Sequence, residues 1–140
     1  FFSPEKNIAL YQYRPRRKWQ IAKEMLEGFS GYLQTDGYSG YNAVEDVTHV
    51  GCRAHVRLKW IDCFVDKKPV DRSKSQKAFE YVEKMFALDF NEGIIHEKSK
   101  LHRQSVLKPV MDEYWIFLNS FEPDKDSSLG KARTHSLNQR

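Results

Sequence analysis

Apolar positions change their spacing near Cys52: before it they come in short runs broken by turn residues, and beyond it they recur at helical intervals. In NIALYQY, residues 8–13 are rich in β-branched and aromatic residues, and Ser3-Pro4-Glu5-Lys6-Asn7 ahead of them is turn chemistry. Together they predict a hairpin whose first strand ends at Phe2. The chain opens on Phe1 and Phe2 with no methionine and no polar lead, so it is expected to begin inside a domain, at the close of a strand that starts upstream. Trp19, Ala22, Leu26 and Phe29 follow at helical spacing and stop at Gly28 and Gly31. Residues 32–35 form a short strand, residues 41–45 a helix or turn, and residues 47–50 a further strand.

In the second half, Ala54, Leu58, Ile61 and Val65 define one helical stripe, ended by Lys67-Lys68-Pro69. Ala78, Val82, Met85 and Phe86 define another, and Leu107, Met111, Tyr114, Leu118 and Phe121 a third, with Pro109 in that helix's first turn. Residues 122–128 are a loop, with a serine placed to cap a last helix at 129–138. Strand, strand, helix, strand, helix, strand, then a helical block: the order is that of an α/β protein. There is no internal repeat and no low-complexity tract.

The 140 residues suffice for one domain with a real core and are too few for two ordinary ones. Hydrophobic residues at 40% and aromatics at 14% exclude a disordered chain. A formal charge of +4 is a mild bias toward polyanions and does not by itself define a partner. Two cysteines, Cys52 and Cys63, do not make a secreted disulfide scaffold, and no signal peptide or membrane-spanning run is present. A soluble, cytosolic protein is expected.

Three features carry candidate chemistry. Asp36, in LQTDGYSGY, follows a strand and precedes a glycine. A carboxylate at a strand's C-terminal end lies where open α/β sheets bind ligands, and it is a hard ligand for Mg²⁺ or Mn²⁺; Asp-Gly is equally a common turn. In HVGCRAHVRLKW, Arg53 and Arg57 stand at i and i+4 beside Lys59, with His55 one step round. That pattern makes either a basic ridge for phosphates or a solvated helix face. Cys52 and His55 offer two of the four ligands a structural zinc needs, with His96, His102 and His135 scattered elsewhere. The cluster Arg14-Pro15-Arg16-Arg17-Lys18 is either a phosphate contact or an exposed loop. Tyr38 and Tyr41 could stack on bases, although packing beside a strand end is the commoner role.

LQTDGYSGYNAV followed by VTHVGCRAHVRLKW resembles the transposases of the insertion sequence 66 family, bacterial enzymes with a DGYxGY segment and then a G-C-x-A-H-x-R segment ending in an aromatic. Weaker similarity runs through 11–33, 103–107 and 128–132. The resemblance implies an RNase H-like fold of the retroviral integrase superfamily and a triad of two aspartates and one glutamate. It also implies Mg²⁺ or Mn²⁺ as cofactor, DNA as partner and a cytoplasmic, nucleoid-associated place in a bacterium. Asp36 corresponds to the second aspartate, as catalytic and metal-binding residue. The first aspartate and the glutamate of the pattern have no match here, so the chain is expected to be an inactive central part of the catalytic domain. Cys52, Ala54, His55, Arg57 and Trp60 match the second segment; Arg53 stands where an aromatic is usual and Leu58 where a second arginine is usual. Arg53, His55, Arg57 and Lys59 are the expected DNA contacts.

On this basis residues 1–66 are a partial RNase H-like core, 67–126 a helical insertion, and 127–140 the start of the helix region leading to the glutamate. Two other readings remain: a non-enzymatic basic DNA-binding module, including a decayed transposase remnant, and a small zinc protein built on Cys52 and His55. An unpaired sheet neighbour also makes self-association an expectation.

Overall fold

The computed structural model describes residues 2–3, 6–11, 13–15, 18–64, 66, 73–89 and 100–139. The turn at Pro4-Glu5, Arg16 and Arg17 of the basic cluster, the stripe end at Val65, the helix stop at 67–69 and His96 lie outside the described residues. The chain divides into two units, Phe1–Gly31 with Tyr38–Thr48, and Tyr32–Gly37 with His49–Arg140.

In the first unit, β1 (Phe2–Ser3) pairs antiparallel with β2 (Ile8–Ala9) in the register Phe2↔Ala9 and Ser3↔Ile8. Asn7 takes the left-handed conformation, φ 49°, that the turn composition anticipates. The second strand is shorter than its β-rich sequence predicts: the ladder ends at Ala9, and Tyr11 and Tyr13 are 91% and 88% exposed. α1 (Trp19–Met25) buries only Ala22, and a 3₁₀ turn at Ser39–Ala43 buries Gly40. Lys23 on α1 pairs with Glu45 at 2.7 Å.

β3 (Gly31–Thr35) and β4 (Val47–Gly51) form the second two-stranded sheet. The Cys52 N–H donates to Thr35 O at 3.1 Å, which joins the C-terminal ends of both strands. The two therefore run in the same direction, with residues 36–46 as the crossover a parallel pair requires.

The second unit's core is helical. α2 (Arg53–Ile61), α3 (Lys74–Asp89), α4 (Lys108–Asn119) and α5 (Ser128–Leu137) bring together Val56, Trp60, Ala78, Val82, Met85, Leu107, Val110, Tyr114, Leu118, Phe121 and Ala132. Ala78, Val82 and Met85 are buried as predicted, whereas Phe86 is 39% exposed. The stripe expected on α2 needs correction: Val56 and Trp60 point inward, and Leu58 is 53% exposed. Both stripes are apolar, but the indole of Trp60 withdraws far more apolar area from water than Leu58 could, and that sets the helix's rotation.

Ser127 caps α5, its Oγ accepting the Gly130 N–H at 3.0 Å, and Pro109 lies in the first turn of α4. Ahead of α4, Arg103–Leu107 is π-helical. Within it Ser105 Oγ donates to Leu101 O at 2.8 Å, a side-chain bond that competes with regular helix pairing.

Candidate functional site at the ends of β3 and β4

The parallel arrangement delivers two chain reversals at one end of the sheet. At the first, Asp36 leaves β3 half-buried, and Gly37 turns the chain with φ +83°, where a side chain would be strained. The Gly37 N–H donates to Thr35 Oγ1 at 3.3 Å, closing the turn locally. At the second, Cys52 occupies the N-cap position of α2 in extended conformation, so α2 begins directly at the strand end.

A helix rotates about 100° per residue, so Arg53 and Arg57 share one side of α2 while His55 and Lys59 share another, roughly 200° away. The four predicted basic contacts thus occupy two faces. Arg53 Nη2 donates to Asp89 Oδ2 at 3.1 Å, and Arg103 Nε donates to the other oxygen of that carboxylate at 2.8 Å. Arg57 pairs with Glu83 through Nε and Nη2 and lies 5.3 Å from the centre of the Phe79 ring. These two guanidiniums hold α2 against α3.

His55 and Lys59 belong to a different neighbourhood. His135 of α5 has its pKa lowered by burial first, then by the charges of Lys59 and His55, with Asp36 pulling the other way. Each of these groups therefore acts electrostatically on the same imidazole. His135 Nε2 is buried without a hydrogen-bond partner. Lys59 also reaches Asp62 at 3.9 Å, an exposed contact worth little.

Asp36, His55 and Lys59 thus share His135 as an electrostatic neighbour, a hard carboxylate together with basic groups. A carboxylate of this kind suits a divalent cation, and basic groups suit an anionic diester. Asp36 fits one ligand position of such a cation, but among the described residues no three His, Cys, Asp or Glu side chains are grouped to hold a metal ion. The described residues do not complete a metal site around Asp36, nor one around Cys52 and His55. Cys52 and Cys63 are free thiols, and burial pushes the Cys63 thiol up.

Sequence reasoning singled out neither His135 nor Gln139 as site residues. The available signal was their i and i+4 spacing at the end of the last helix, which puts both on one face. Gln139 Oε1 accepts the Cys52 N–H at 3.2 Å, the same N–H that bonds Thr35 O.

Among the described residues no helix is long and apolar enough to cross a membrane. The family model described as Transposase IS66 family matches residues 2–140. No curated protein and no solved structure matches the chain.

Proposed function

The chain belongs to the IS66 family of transposases, and from that premise we propose that it serves DNA transposition with Asp36 as one carboxylate of a DDE-type site. The observation that carries this reading is the position of Asp36. It stands half-buried at the C-terminal end of one of two parallel strands, with Gly37 turning the chain away, and its charge acts on the His135 imidazole as those of His55 and Lys59 do. An antiparallel hairpin, a helix and a parallel strand pair in that chain order support an RNase H-like core.

Asp36 would be this chain's ligand to Mg²⁺ or Mn²⁺, which when bound would supply activation of a hydroxyl and stabilisation of the departing oxygen of a phosphodiester. The described residues furnish one ligand toward that chemistry, so the 140-residue chain by itself is expected to bind DNA without cutting it. Lys59 and His55 hold the backbone phosphate nearest Asp36, and Arg53 and Arg57 keep α2 in place.

The test is the transposition frequency of an element whose intact transposase includes this 140-residue segment, with Asp36 replaced by Asn. Asn keeps the size and removes the charge; a loss of about 100-fold or more is expected for a carboxylate that positions the reacting phosphate. Unchanged frequency would remove Asp36 from the reaction. Mg²⁺-dependent cleavage of duplex DNA by the purified chain would overturn the expected inactivity.

A further inference from the structure

His135 lies in the last turn of α5 and Gln139 just past its C-cap, His135 against Gly37 and Gln139 against both Gly37 and Gly51. A Cβ on Gly37 would stand 3.2 Å from Gln139 Cδ and 3.2 Å from His135 Cε1. On Gly51 it would stand 2.6 Å from Gln139 Cβ and 2.7 Å from the Gln139 carbonyl oxygen, closer than real Cβ atoms come. The notch that receives this turn exists because both positions lack a side chain.

Into that notch Gln139 carries an acceptor for a shared donor. The Cys52 N–H bonds Thr35 O, joining the two strands, and also Gln139 Oε1 at 3.2 Å. Gln139 thus sits on a hydrogen bond that ties the end of β4 to the residue before Asp36. At the same turn the Gly37 N–H donates to Thr35 Oγ1 at 3.3 Å, and β3 and β4 form a two-stranded sheet.

We propose that Gln139 is a positioning residue for Asp36, locking the ends of β3 and β4 so that the carboxylate leaves the strand in one direction. The proposal rests on the reading of Asp36 as a metal-binding carboxylate. Reacting groups in phosphoryl chemistry must be held to about 0.5 Å, and neighbours that fix the rotamer and backbone supply that precision. The ordinary alternative is that Gln139 merely ends α5, its own N–H donating to Ser136 O at 3.0 Å.

The ¹⁵N-labelled chain distinguishes these by two readouts, amide hydrogen exchange at Cys52 and paramagnetic broadening of Asp36 and Gly37 by added Mn²⁺. Gln139→Met keeps bulk and removes the acceptor; Gly51→Ala keeps Gln139 and fills its seat. Each is expected to speed exchange of the Cys52 amide about tenfold or more. Each is also expected to raise the Mn²⁺ concentration for half-broadening of Gly37 by roughly threefold or more, as a misdirected ligand requires.

Faster exchange with an unaltered Mn²⁺ response in Gln139→Met would make the contact purely structural and overturn the proposal. Unaltered exchange in Gln139→Met would overturn it as well. Asp36→Asn, with Gln139 intact, tests the premise separately: it should abolish the broadening at Gly37. If broadening persists there, the reading of Asp36 as a metal ligand fails, and the positioning role falls with it.

Discussion

The indole Nε1–H of Trp60 donates to the Tyr114 hydroxyl at 2.8 Å, and the two side chains are 0% and 2% exposed. Trp60 closes the motif that links this chain to its family, and its role is to anchor α2 in the helical core rather than to face DNA. Burial pushes the Tyr114 hydroxyl up to about 12, against hydrogen bonds from Ser136 and Trp60 that lower it.

Trp60→Phe should cost about 2 kcal/mol, because the buried Tyr114 oxygen loses its donor and the smaller ring leaves space. For a chain of this size that is a fall in Tm of roughly 5–8 °C. Tyr114→Phe should cost a similar amount, and the double variant less than the sum, since the second change then removes no further bond. Strict additivity in thermal melts would show that the two do not interact.

The division of α2 into two faces predicts separable effects on DNA binding. Lys59→Ala should lower the slope of log affinity against log salt by about 1, as loss of one phosphate contact does. Arg57→Ala should leave that slope unchanged and instead destabilise by about 1 kcal/mol, the value of a half-exposed ion pair with an aromatic neighbour. Equal slope losses in fluorescence anisotropy titrations would mean that the helix meets DNA as one ridge.

What the sequence disclosed about this fold follows from distance along the chain. The cap at Ser127, the proline at 109, the left-handed Asn7 and the strand that delivers Asp36 are local, and each is legible from a few neighbouring residues. The rotation of α2 is not, because Ala54, Leu58 and Ile61 make one stripe and Val56 and Trp60 another, and only the partners decide between them. The acids that claim Arg53 and Arg57 lie 36 and 26 residues away. The contact between Gln139 and Cys52 spans 87 residues, and no spacing rule reaches that far.

The hairpin of the first unit carries a second consequence. Phe2 is 63% exposed and Ile8 58% on a short strand pair, and Tyr11 just beyond it is 91% exposed. Exposed strands of this kind recruit further strands. Sedimentation velocity should therefore show concentration-dependent association, and Ile8→Lys or Tyr11→Lys should shift the population toward monomer. A monodisperse monomer at every concentration would show that the edge does not self-pair.

His135 gives stability a pH dependence of definite sign. Its pKa is lowered from 6.5 by burial and by the charges of Lys59 and His55, with Asp36 opposing. The unfolded chain therefore protonates this imidazole more readily than the folded one, and unfolding takes up a proton. The contribution is fully present above pH 6.5 and is lost as pH falls through the folded-state value. Urea denaturation at about pH 7.5 and about pH 5 should show a lower midpoint in acid, and a smaller drop in His135→Gln. Lys59→Ala should also reduce the drop by removing a charge that lowers the pKa. Asp36→Asn should enlarge it, because Asp36 is the group that favours the protonated imidazole. If all four proteins lose the same stability, the acid sensitivity belongs to other groups and the electrostatic coupling of His135 to Asp36 is too weak to matter.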